Sequence, residues 1–429
     1  MIVEDTPKSL TVSPMNFGFV STRFSGTDGV SLEARKWAEV LERDGHSTFW
    51  LSGLSDRPFA TSMVVPEAHF EHPYIQAITD EIWGRNELSE EIRQSIVDLT
   101  PTLKLALRDF VRRFDIDILI PQNASTIPMN IPLGLAIAEY VKESGMPTIA
   151  HHHDFFWERE RFSGQAATPF LEAAFPPILP SISHVVINSE AARQLKFRFD
   201  IDASIIPNVM DFEAPPTKTT IATNTVREGL GFAPDDRIFL QPTRVVPRKG
   251  IEHAIELISG LDDSKNKLVI SHSAGDEGME YQHFLQRLAL EKNVDLRLIG
   301  DRIATNRGRD NADRLQYTLS DLYPLAELVT YPSQYEGFGN ALLEAVYFRK
   351  PVLVNRYSVF VEDIEPLGFR FAVMDGSIDC EVIESVQRFI SDKKFTSAAA
   401  GHNFNLAQKH FGYARIKLTL DSVINDHSN

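Results

Sequence analysis

The sequence predicts an α/β protein built from two doubly wound domains with parallel sheets. Short apolar runs alternate with segments of helical periodicity in both halves of the chain, which is typical of parallel strands covered by helices on both faces. The chain has 429 residues, more than one hydrophobic core usually serves, so two domains are expected. A Pro- and Thr-rich stretch at 213–224 separates the two alternating regions. We therefore predict a first domain over 1–211 and a second domain over 212–394.

The first half begins with a strand, a loop, a helix and a second strand, the order of a βαβ unit. An apolar run precedes a polar loop, the helical period that follows ends at Gly45, and a second apolar run comes next. The pattern then recurs. The predicted strands are 15–20, 46–51, 116–120, 147–151 and 183–188, and the predicted helices are 30–43, 103–114, 131–144 and 190–196, the last with Ser189 as its N-cap.

The second half repeats this alternation beyond the linker. The predicted strands are 237–242, 267–271, 294–299, 327–331 and 351–355, and the predicted helices are 250–260, 281–291, 320–326 and 340–348. Doubly wound domains bind ligands at the carboxyl ends of their strands. The loops at those ends are therefore the candidate site, and we expect a ligand cleft between the two sheets.

Composition excludes several classes of function. The chain has 43 Lys+Arg and 59 Asp+Glu, a net charge of -16, which argues against nucleic acid or an anionic membrane as a whole-surface partner, although a local basic groove is allowed. Cys380 is the single cysteine, so no intrachain disulfide can form and a reducing compartment is expected. The polar start, 1–15, does not resemble a signal peptide, and the longest mostly apolar stretch, 131–141, is far short of the roughly 20 residues that span a bilayer. We predict a soluble cytoplasmic protein.

The most informative loop runs from 331 to 345. A predicted strand ends there, Gly337 and Gly339 free the backbone, and a helix begins with unpaired N–H groups that attract an anion or a polar ligand. Glu336 precedes this helix and Glu344 lies inside it, so both can address one ligand at two depths. Carboxylates suit the vicinal hydroxyls of a ribose or hexose, whereas the alternative is that both only complement the helix dipole.

A second loop, 241–250, carries two cations at the start of another predicted helix. Arg244 offers a planar fork and Lys249 a mobile point charge, a combination that suits a diphosphate. Because both are charged, they could neutralise a leaving group without a metal. The alternative interpretation is solvated surface charge.

The loop Gly26–Gly29 joins the first strand to the first helix. Its backbone N–H groups could approach a phosphate or an acceptor, while Asp28 either caps the helix or accepts from a sugar hydroxyl. The loop lacks the G-x-G-x-x-G spacing of dinucleotide-binding domains, which counts against a dehydrogenase.

Three consecutive histidines, 151–153, stand at the end of the strand predicted at 147–151. Strand alternation places His151 and His153 on one side, and no further ligand stands at a suitable spacing, so a metal site is disfavoured. One histidine that binds a sugar hydroxyl is the preferred interpretation.

The segment that follows is aromatic and then charged. Trp157 and its neighbours are either core or an aromatic wall against a sugar ring, and Arg159 and Arg161 either receive an acceptor's anionic group or form a solvated face. Elsewhere, Asp276 and Glu277 are interpreted as loop carboxylates at a helix start, not as metal ligands.

Together these residues resemble the retaining glycosyltransferases of family 4, which have the GT-B fold. The resemblance covers nearly the whole chain, from Gly26 to a C-terminal segment, 395–429, that in this fold crosses back to the first domain. The matching motifs are E-x7-E at Glu336 and Glu344, R-x4-K-G at Arg244 and Lys249, the strand-end pair His153 and Asp154, and Ile206-Pro207-Asn208 at the entry to the second domain.

The resemblance implies a role for each matching residue. Glu344 would bind the nucleotide ribose, Glu336 the donor hexose and His153 a donor-sugar hydroxyl, while Arg244 and Lys249 would hold the diphosphate. The predicted donor-binding residues are Gly26, Gly29, Arg244, Lys249, Glu336, Gly337, Phe338, Gly339, Asn340 and Glu344, and the predicted catalytic residues are Glu336, His153, Arg244 and Lys249. The acceptor-side residues are Asp28, Asp154, Trp157, Arg159 and Arg161. No metal site is expected.

One departure from the family pattern leaves the donor open. The stretch 357–361, Tyr-Ser-Val-Phe-Val, replaces the glycine-rich loop that usually covers the donor sugar.

The predicted activity is metal-independent transfer of a hexose, with retention, from a nucleoside-diphosphate sugar of the UDP-glucose or GDP-mannose type to an acceptor hydroxyl. No cofactor is implied. The acidic balance favours a small soluble acceptor, such as a sugar phosphate or a glycosylated glycerate, and disfavours membrane contact. A lipid-linked or polysaccharide-precursor acceptor stays open because of the basic stretch 193–198. A nucleotide-sugar epimerase, a phosphorylase and a non-catalytic sugar-binding protein stay open as well, and so does the oligomeric state.

Overall fold

The computed structural model describes residues 13–26, 28–214, 216, 223–273 and 279–428, which form two compact units. The described residues up to Val185 and those from Leu420 onward form the first unit, and Val186–Thr419 form the second. Part of the predicted linker, together with Asp276 and Glu277, lies outside the described residues.

A parallel sheet with helices connecting its strands forms the first unit. Its strands run in the order β5-β3-β1-β6-β7-β8, and β2 pairs separately with β4. The strands are β1 (Asn16–Val20), β2 (Arg23–Phe24), β3 (Ser47–Ser52), β4 (Leu54–Ser55), β5 (Ser62–Val64), β6 (Ile118–Pro121), β7 (Thr148–His152) and β8 (Ile182–Val186), and the helices are α1 (Gly29–Arg43), α2 (Pro73–Ile82), α3 (Glu90–Phe114), α4 (Ile131–Ser144) and α5 (Thr168–Ala174).

The central strands of this sheet are buried. Strands β6 and β7 are buried along their whole length, as expected for parallel strands covered on both faces. Phe17 aligns with both Thr48 and Ile118, so β1 lies between β3 and β6. Because parallel strands end at the same edge, the loops after β1, β6 and β7 share that edge.

The second unit contains a similar sheet with the order β12-β11-β10-β15-β16-β17. The strands are β9 (Ser204–Ile205), β10 (Arg237–Gln241), β11 (Asn266–Ile270), β12 (Asp295–Leu298), β13 (Gly308–Arg309), β14 (Leu315–Gln316), β15 (Ala326–Tyr331), β16 (Val352–Asn355) and β17 (Ala372–Met374). The helices are α6 (Ser189–Phe199), α7 (Thr223–Gly229), α8 (Ile251–Leu261), α9 (Glu280–Glu291), α10 (Leu319–Leu322), α11 (Asn340–Tyr347), α12 (Cys380–Ser391), α13 (Lys393–Phe411) and α14 (Tyr413–Ser428), which ends in the first unit. Strand β10 lies between β11 and β15, so the loops after these three strands are neighbours.

The second unit begins earlier in the chain than the predicted boundary at 211/212. Helix α6 belongs to it because Asn188 Nδ2 donates to the carbonyl of Gly337 at 2.6 Å and Ser189 N donates to Asp363 at 3.0 Å. The predicted cap of α6 is wrong by one residue, since the Asn188 side chain accepts from Ala191 N and is the N-cap.

One helix is longer than its sequence pattern indicated. The prediction placed a helix at 103–114, whereas α3 starts at Glu90, with Ser89 as its N-cap and Pro101 inside it.

No helix within the described ranges has both the length and the apolar character needed to cross a membrane.

Candidate active site

Two loops at the strand ends of the second unit pack directly on each other. Gly250 has φ +58°, and a Cβ there would lie 2.5 Å from the carbonyl oxygen of Pro332. The amide of Gln334 donates to the carbonyl of Arg248 at 2.9 Å. Glycine is needed at 250 because only a residue without a side chain allows this approach.

These loops bring Lys249 and Glu336 together. Lys249 Nζ donates to Glu336 Oε1, and both residues are 8% exposed. Arg248 Nη1 lies 3.6 Å from Glu336 Oε2. A buried ion pair is costly to break, since removing one partner leaves an uncompensated charge in a medium of low dielectric constant.

Further cations act on this pair. Burial is the main reason that the pKa of Lys249 lies below its usual value; Glu336 opposes the shift, while Arg248 and Arg244 add to it. Burial also lowers the pKa of His272, and the charges of Lys249 and Arg244 lower it further. The exposed Arg244 therefore shares one electrostatic environment with Lys249, and their joint role at a diphosphate stays a prediction.

The loop before α11 is fixed by side chains that bind its carbonyl groups. Tyr357 Oη donates to the Phe338 carbonyl at 2.7 Å, and Asn188 Nδ2 to that of Gly337 at 2.6 Å. Gly339 has φ +130°, and a Cβ there would lie 2.7 Å from the Tyr357 hydroxyl. Tyr357, the first residue of the stretch that departs from the family pattern, thus holds this loop in place together with Asn188.

The start of α11 itself is held by Asn208. Its Nδ2 donates to Asn340 Oδ1 at 2.9 Å, so the last residue of the predicted Ile-Pro-Asn motif supports a predicted donor-binding residue.

Glu344 has a different partner from Glu336. The hydroxyl of Tyr323 donates to Glu344 Oε2 at 2.8 Å, and the Tyr323 ring stacks on Phe348 with centroids 4.7 Å apart. Burial, and next the charge of Glu344, raise the pKa of Tyr323 well above its usual value, so this phenol stays a donor. One carboxylate is thus anchored by a cation and the other by a neutral hydroxyl.

In the first unit, two carboxylates form hydrogen bonds in the region between β2 and α1. Gly26 N donates to Asp56 Oδ2 at 2.9 Å. Asp28 is the N-cap of α1: its Oδ1 accepts from Ser31 N at 3.1 Å and its Oδ2 from Ser31 Oγ at 2.6 Å. Asp28 thus takes the capping role, one of its two predicted roles, and Gly29 is the first residue of the helix.

His153 lies at the end of β7 within a hydrogen-bonded network. Gln122 Oε1 is 3.2 Å from His153 Nε2 and 2.8 Å from His151 Nδ1. The two rings have centroids 4.4 Å apart, so they do lie on one side, as strand alternation predicted. Trp37 stacks on His151 at 4.1 Å. Burial lowers the pKa of His153 to about 4, which leaves the ring neutral at pH 7.

The predicted acceptor-side residues next to His153 are largely paired with protein groups. Asp154 Oδ1 accepts from Asn123 Nδ2 at 2.9 Å, and Asp154 forms an ion pair with Arg159. Trp157 stacks on the fully buried Phe155 with centroids 4.4 Å apart.

Arg161 lies further along the same segment. Its guanidinium lies over the ring of Phe162, 4.6 Å from the centroid, and Nη2 is 3.5 Å from Met129 Sδ. A contact between Arg161 and an acceptor stays a prediction.

Sequence reasoning missed several residues that these sites use. They are Asp56, Gln122, Asn123, Asn188, His272 and Tyr323. A signal existed for Gln122 and Asn123, since they follow the apolar run at 116–120 after a single proline. Among the described residues, no group of three or more His, Cys, Asp or Glu side chains is arranged to hold a metal ion.

Comparison with known proteins identifies the family. The family described as Glycosyl transferases group 1 matches residues 223–401. Mannosylglucosylglycerate synthase of Thermotoga maritima is 30% identical over 440 residues, which cover 94% of this chain and 98% of that protein. The chain belongs to the group 1 glycosyl transferases. A second mannosylglucosylglycerate synthase, from Petrotoga mobilis, is 32% identical over 404 residues and covers 86% of this chain and 88% of that protein.

Solved structures of low sequence identity share the fold of this glycosyltransferase. Sucrose-phosphate synthase of Thermosynechococcus elongatus has a TM-score of 0.64 at 14% identity and covers 96% of this chain and 98% of that chain. HepE of Anabaena, solved in complex with UDP and glucose, has a TM-score of 0.63 at 15% identity, with 96% and 99% coverage. The predicted fold class, α/β of the GT-B type, is confirmed.

Within this glycosyltransferase, the second unit offers a concentration of cations around one carboxylate, and the first unit offers neutral imidazoles and carboxylates that already have partners. The former suits an anion, and the latter suits hydroxyl groups. The assignment of individual residues to donor and acceptor stays a prediction.

Proposed function

We propose that this glycosyltransferase transfers a mannosyl group, with retention and without a metal, from a nucleoside-diphosphate sugar to glucosylglycerate. The acceptor and the sugar come from the name of the two relatives, mannosylglucosylglycerate synthases that align along 94% and 86% of this chain. The observation that carries the proposal is the buried Lys249–Glu336 pair with Arg244 and Arg248 beside it.

The cation cluster supports the bond-breaking step. As the bond between the sugar and the diphosphate lengthens, negative charge accumulates on the departing oxygen. Lys249 has three donors and Glu336 takes one of them, so the others can turn toward phosphate oxygens. A stabilisation that grows with the developing charge accelerates the reaction more than it strengthens binding of the donor.

Proton transfer needs no protein base in this proposal. The oxygen of the acceptor hydroxyl attacks the anomeric carbon from the face that the diphosphate leaves, which gives retention. The departing phosphate oxygen takes the proton of that hydroxyl. Glu336 is assigned to positioning the hexose, because a carboxylate engaged by Lys249 and hydroxyls is poorly placed to attack.

The contacts of α6, which contains the basic stretch 193–198, weaken the alternative of a lipid-linked acceptor. Arg193 donates to Glu362 at 2.9 Å, and Lys196 pairs with Asp202 at 2.9 Å, so these charges are neutralised within the protein. Phe197 is 91% exposed, but one exposed ring does not make a membrane-binding face.

The test is a transfer assay with GDP-, UDP- and ADP-linked mannose and glucose, each with glucosylglycerate, analysed by mass spectrometry and by NMR of the new anomeric centre. We expect a mannosylated product of retained configuration, formed equally well with EDTA present. Glucosyl transfer alone, inversion, or loss of activity with EDTA would each contradict one part of the proposal.

Three control reactions test for an epimerase, a phosphorylase and a different acceptor. Donor alone tests for an epimer, inorganic phosphate in place of nucleotide tests for phosphorolysis, and a phosphorylated acceptor, glucosyl-3-phosphoglycerate, tests whether the free glycerate is preferred. We expect no epimer and no phosphorolysis.

A further inference from the structure

We propose that Gln122 and Asn123 are positioning residues for His153. They hold its imidazole as a neutral group, with the proton on Nε2, so that Nδ1 accepts a hydrogen bond from a sugar hydroxyl. The nature of the ligand rests on the proposed function, whereas the tautomer and its cause rest on the contacts in the first unit.

One amide oxygen, that of Gln122, contacts two imidazole rings. Gln122 Oε1 lies 2.8 Å from His151 Nδ1 and 3.2 Å from His153 Nε2. A carbonyl oxygen has two lone pairs and no proton, so both ring nitrogens must donate to it. His153 therefore carries its proton on Nε2. Within the described residues the hydrogen bond of its ring uses Nε2, which leaves the Nδ1 lone pair for a ligand.

Gln122 carries an energetic cost in this position. Its side chain is fully buried, and its Nε2 has no hydrogen-bond partner among the described residues. A buried donor left unpaired costs about 1–3 kcal/mol. Met would fill a similar volume without that unpaired donor, but it would leave both imidazole N–H groups without an acceptor. The amide oxygen, shared by two imidazoles, is therefore the feature that accounts for a glutamine here.

Asn123 fixes the main chain around His153. Asn123 has φ +59°; its N donates to the His151 carbonyl at 3.0 Å, and its Oδ1 accepts from His153 N at 3.1 Å. Its Nδ2 donates to Asp154 Oδ1 at 2.9 Å, and Arg159 binds the other oxygen of that carboxylate. Both Asp154 oxygens are thus engaged by donors other than the imidazole.

The charges around His153 agree with a neutral ring. Burial is the largest effect and lowers its pKa to about 4; Asp154 and Asp28 oppose the shift, and Lys36 adds to it. His151 is the other titratable ring in contact with it. An imidazolium would have no lone pair to offer, so neutrality is a condition for the proposed role.

NMR of the full chain tests the tautomer directly. With ¹⁵N-labelled histidine, long-range proton–nitrogen correlations show which ring nitrogen carries hydrogen, and a His153→Gln sample assigns the signals. We expect Nε2–H for His153 in the wild type and a mixture of tautomers in Gln122→Met. Nδ1–H in the wild type, or an unchanged pattern in Gln122→Met, would overturn the proposal. This measurement needs no turnover, so it can fail or succeed independently of the proposed function.

Kinetics test whether the tautomer matters to the reaction. Gln122→Glu places a carboxylate beside both rings, which should raise the pKa of His153 and move the acidic limb of kcat/KM upward by at least about one pH unit. Gln122→Met should lower kcat/KM about tenfold without moving that limb, a loss equal to one ordinary hydrogen bond. A wild-type pH profile in Gln122→Glu would reject the positioning role.

Two further variants separate positioning from general damage. Asn123→Gly keeps the left-handed backbone accessible while it removes both side-chain bonds, and it should lower kcat/KM with little change in unfolding midpoint. Gln94→Met, on an exposed site of α3, is the matched control and should keep wild-type kinetics.

Discussion

The two units treat buried ionisable groups at their strand ends in opposite ways. In the first, His151 and His153 are desolvated with a neutral amide as their shared partner, and burial lowers the pKa of both. In the second, Lys249 is desolvated beside Glu336 and Arg248, and the carboxylate opposes the shift that burial causes. Burial lowers the pKa in all three cases. Lys249 is bonded directly to a carboxylate, whereas the two imidazoles are bonded to a neutral amide, and Asp154 and Asp28 oppose the shift of His153 only through their charge.

This difference predicts what each region recognises. Neutral imidazoles provide single, directional hydrogen bonds of the kind that suits hydroxyl groups. A cluster of cations around one carboxylate keeps charge in a region of low dielectric constant, where it binds phosphate strongly. Substitutions in the two regions should therefore have different effects, which range from a loss of turnover to a small change in stability.

Removal of the buried cation should have the largest effect. In Lys249→Met we expect kcat to fall about 10²–10³-fold, since one preorganised electrostatic contact to the leaving group is lost. Steady-state kinetics with the active donor measure this. Lys265→Met, which removes an exposed lysine paired with Asp235, is the matched control and should keep its activity.

Stability is the complication for that variant, because Glu336 is left buried without its partner. The double variant Lys249→Met/Glu336→Gln removes both charges and should recover much of the unfolding midpoint but none of the turnover. Recovery of turnover would show that the cation is only structural.

The second prediction concerns acid stability of the first unit. His184 is 5% exposed, and burial lowers its pKa to about 4. Below pH 6.5 the unfolded chain takes up a proton that the folded chain does not, so stability falls from about pH 6.5 to about pH 4 and is constant above that range. Between pH 7 and pH 5 this amounts to about 2 kcal/mol.

Urea unfolding at the two pH values measures this effect, and His184→Gln should show a smaller loss. His283→Gln, at an exposed position of α9, serves as the control and should retain the full pH dependence. An equal loss in His184→Gln and the wild type would mean that this ring is not held neutral.

The third prediction compares the two glutamates of the second unit. Glu344→Gln keeps the shape and the acceptor for Tyr323, but it replaces a charged acceptor by a neutral one. We expect KM for the donor to rise about tenfold with a smaller change in kcat, as for the loss of one charge-assisted hydrogen bond. Glu384→Gln, on the exposed side of α12, is the control. A loss confined to kcat would move Glu344 into the bond-breaking step.

The smallest expected effect concerns the glycine loop of the first unit. Asp28→Ala removes the N-cap of α1 and should cost about 1 kcal/mol of stability, while Asp28→Asn keeps the cap and should cost little. Thermal unfolding measures both. If Asp28→Asn also leaves the KM for the acceptor unchanged, capping is the whole role of Asp28. A raised KM would indicate that Asp28 also contacts the acceptor.

Local sequence patterns predicted most elements of both sheets. The helix 131–144 matches from end to end, because Asn130 caps its start and Gly145 takes a left-handed conformation at its end. The pattern failed at α3, where the prediction began after Pro101. The buried Ile92 and Ile96 extend the same apolar face to the helix start, and this packing outweighs the helix-breaking tendency of the proline.

The sequence by itself determined the alternation of strands and helices. It placed Glu336, Lys249 and His153 at strand ends or helix starts and Glu344 inside a helix, because periodicity, caps and glycines act over a few residues. The tertiary structure alone decided the partners. Lys249 and Glu336 are 87 positions apart, and Gln122 and His153 are 31 apart, separations over which no local pattern extends. It also decided which groups stay charged, since that depends on how much water and how much opposite charge the folded chain leaves around each of them.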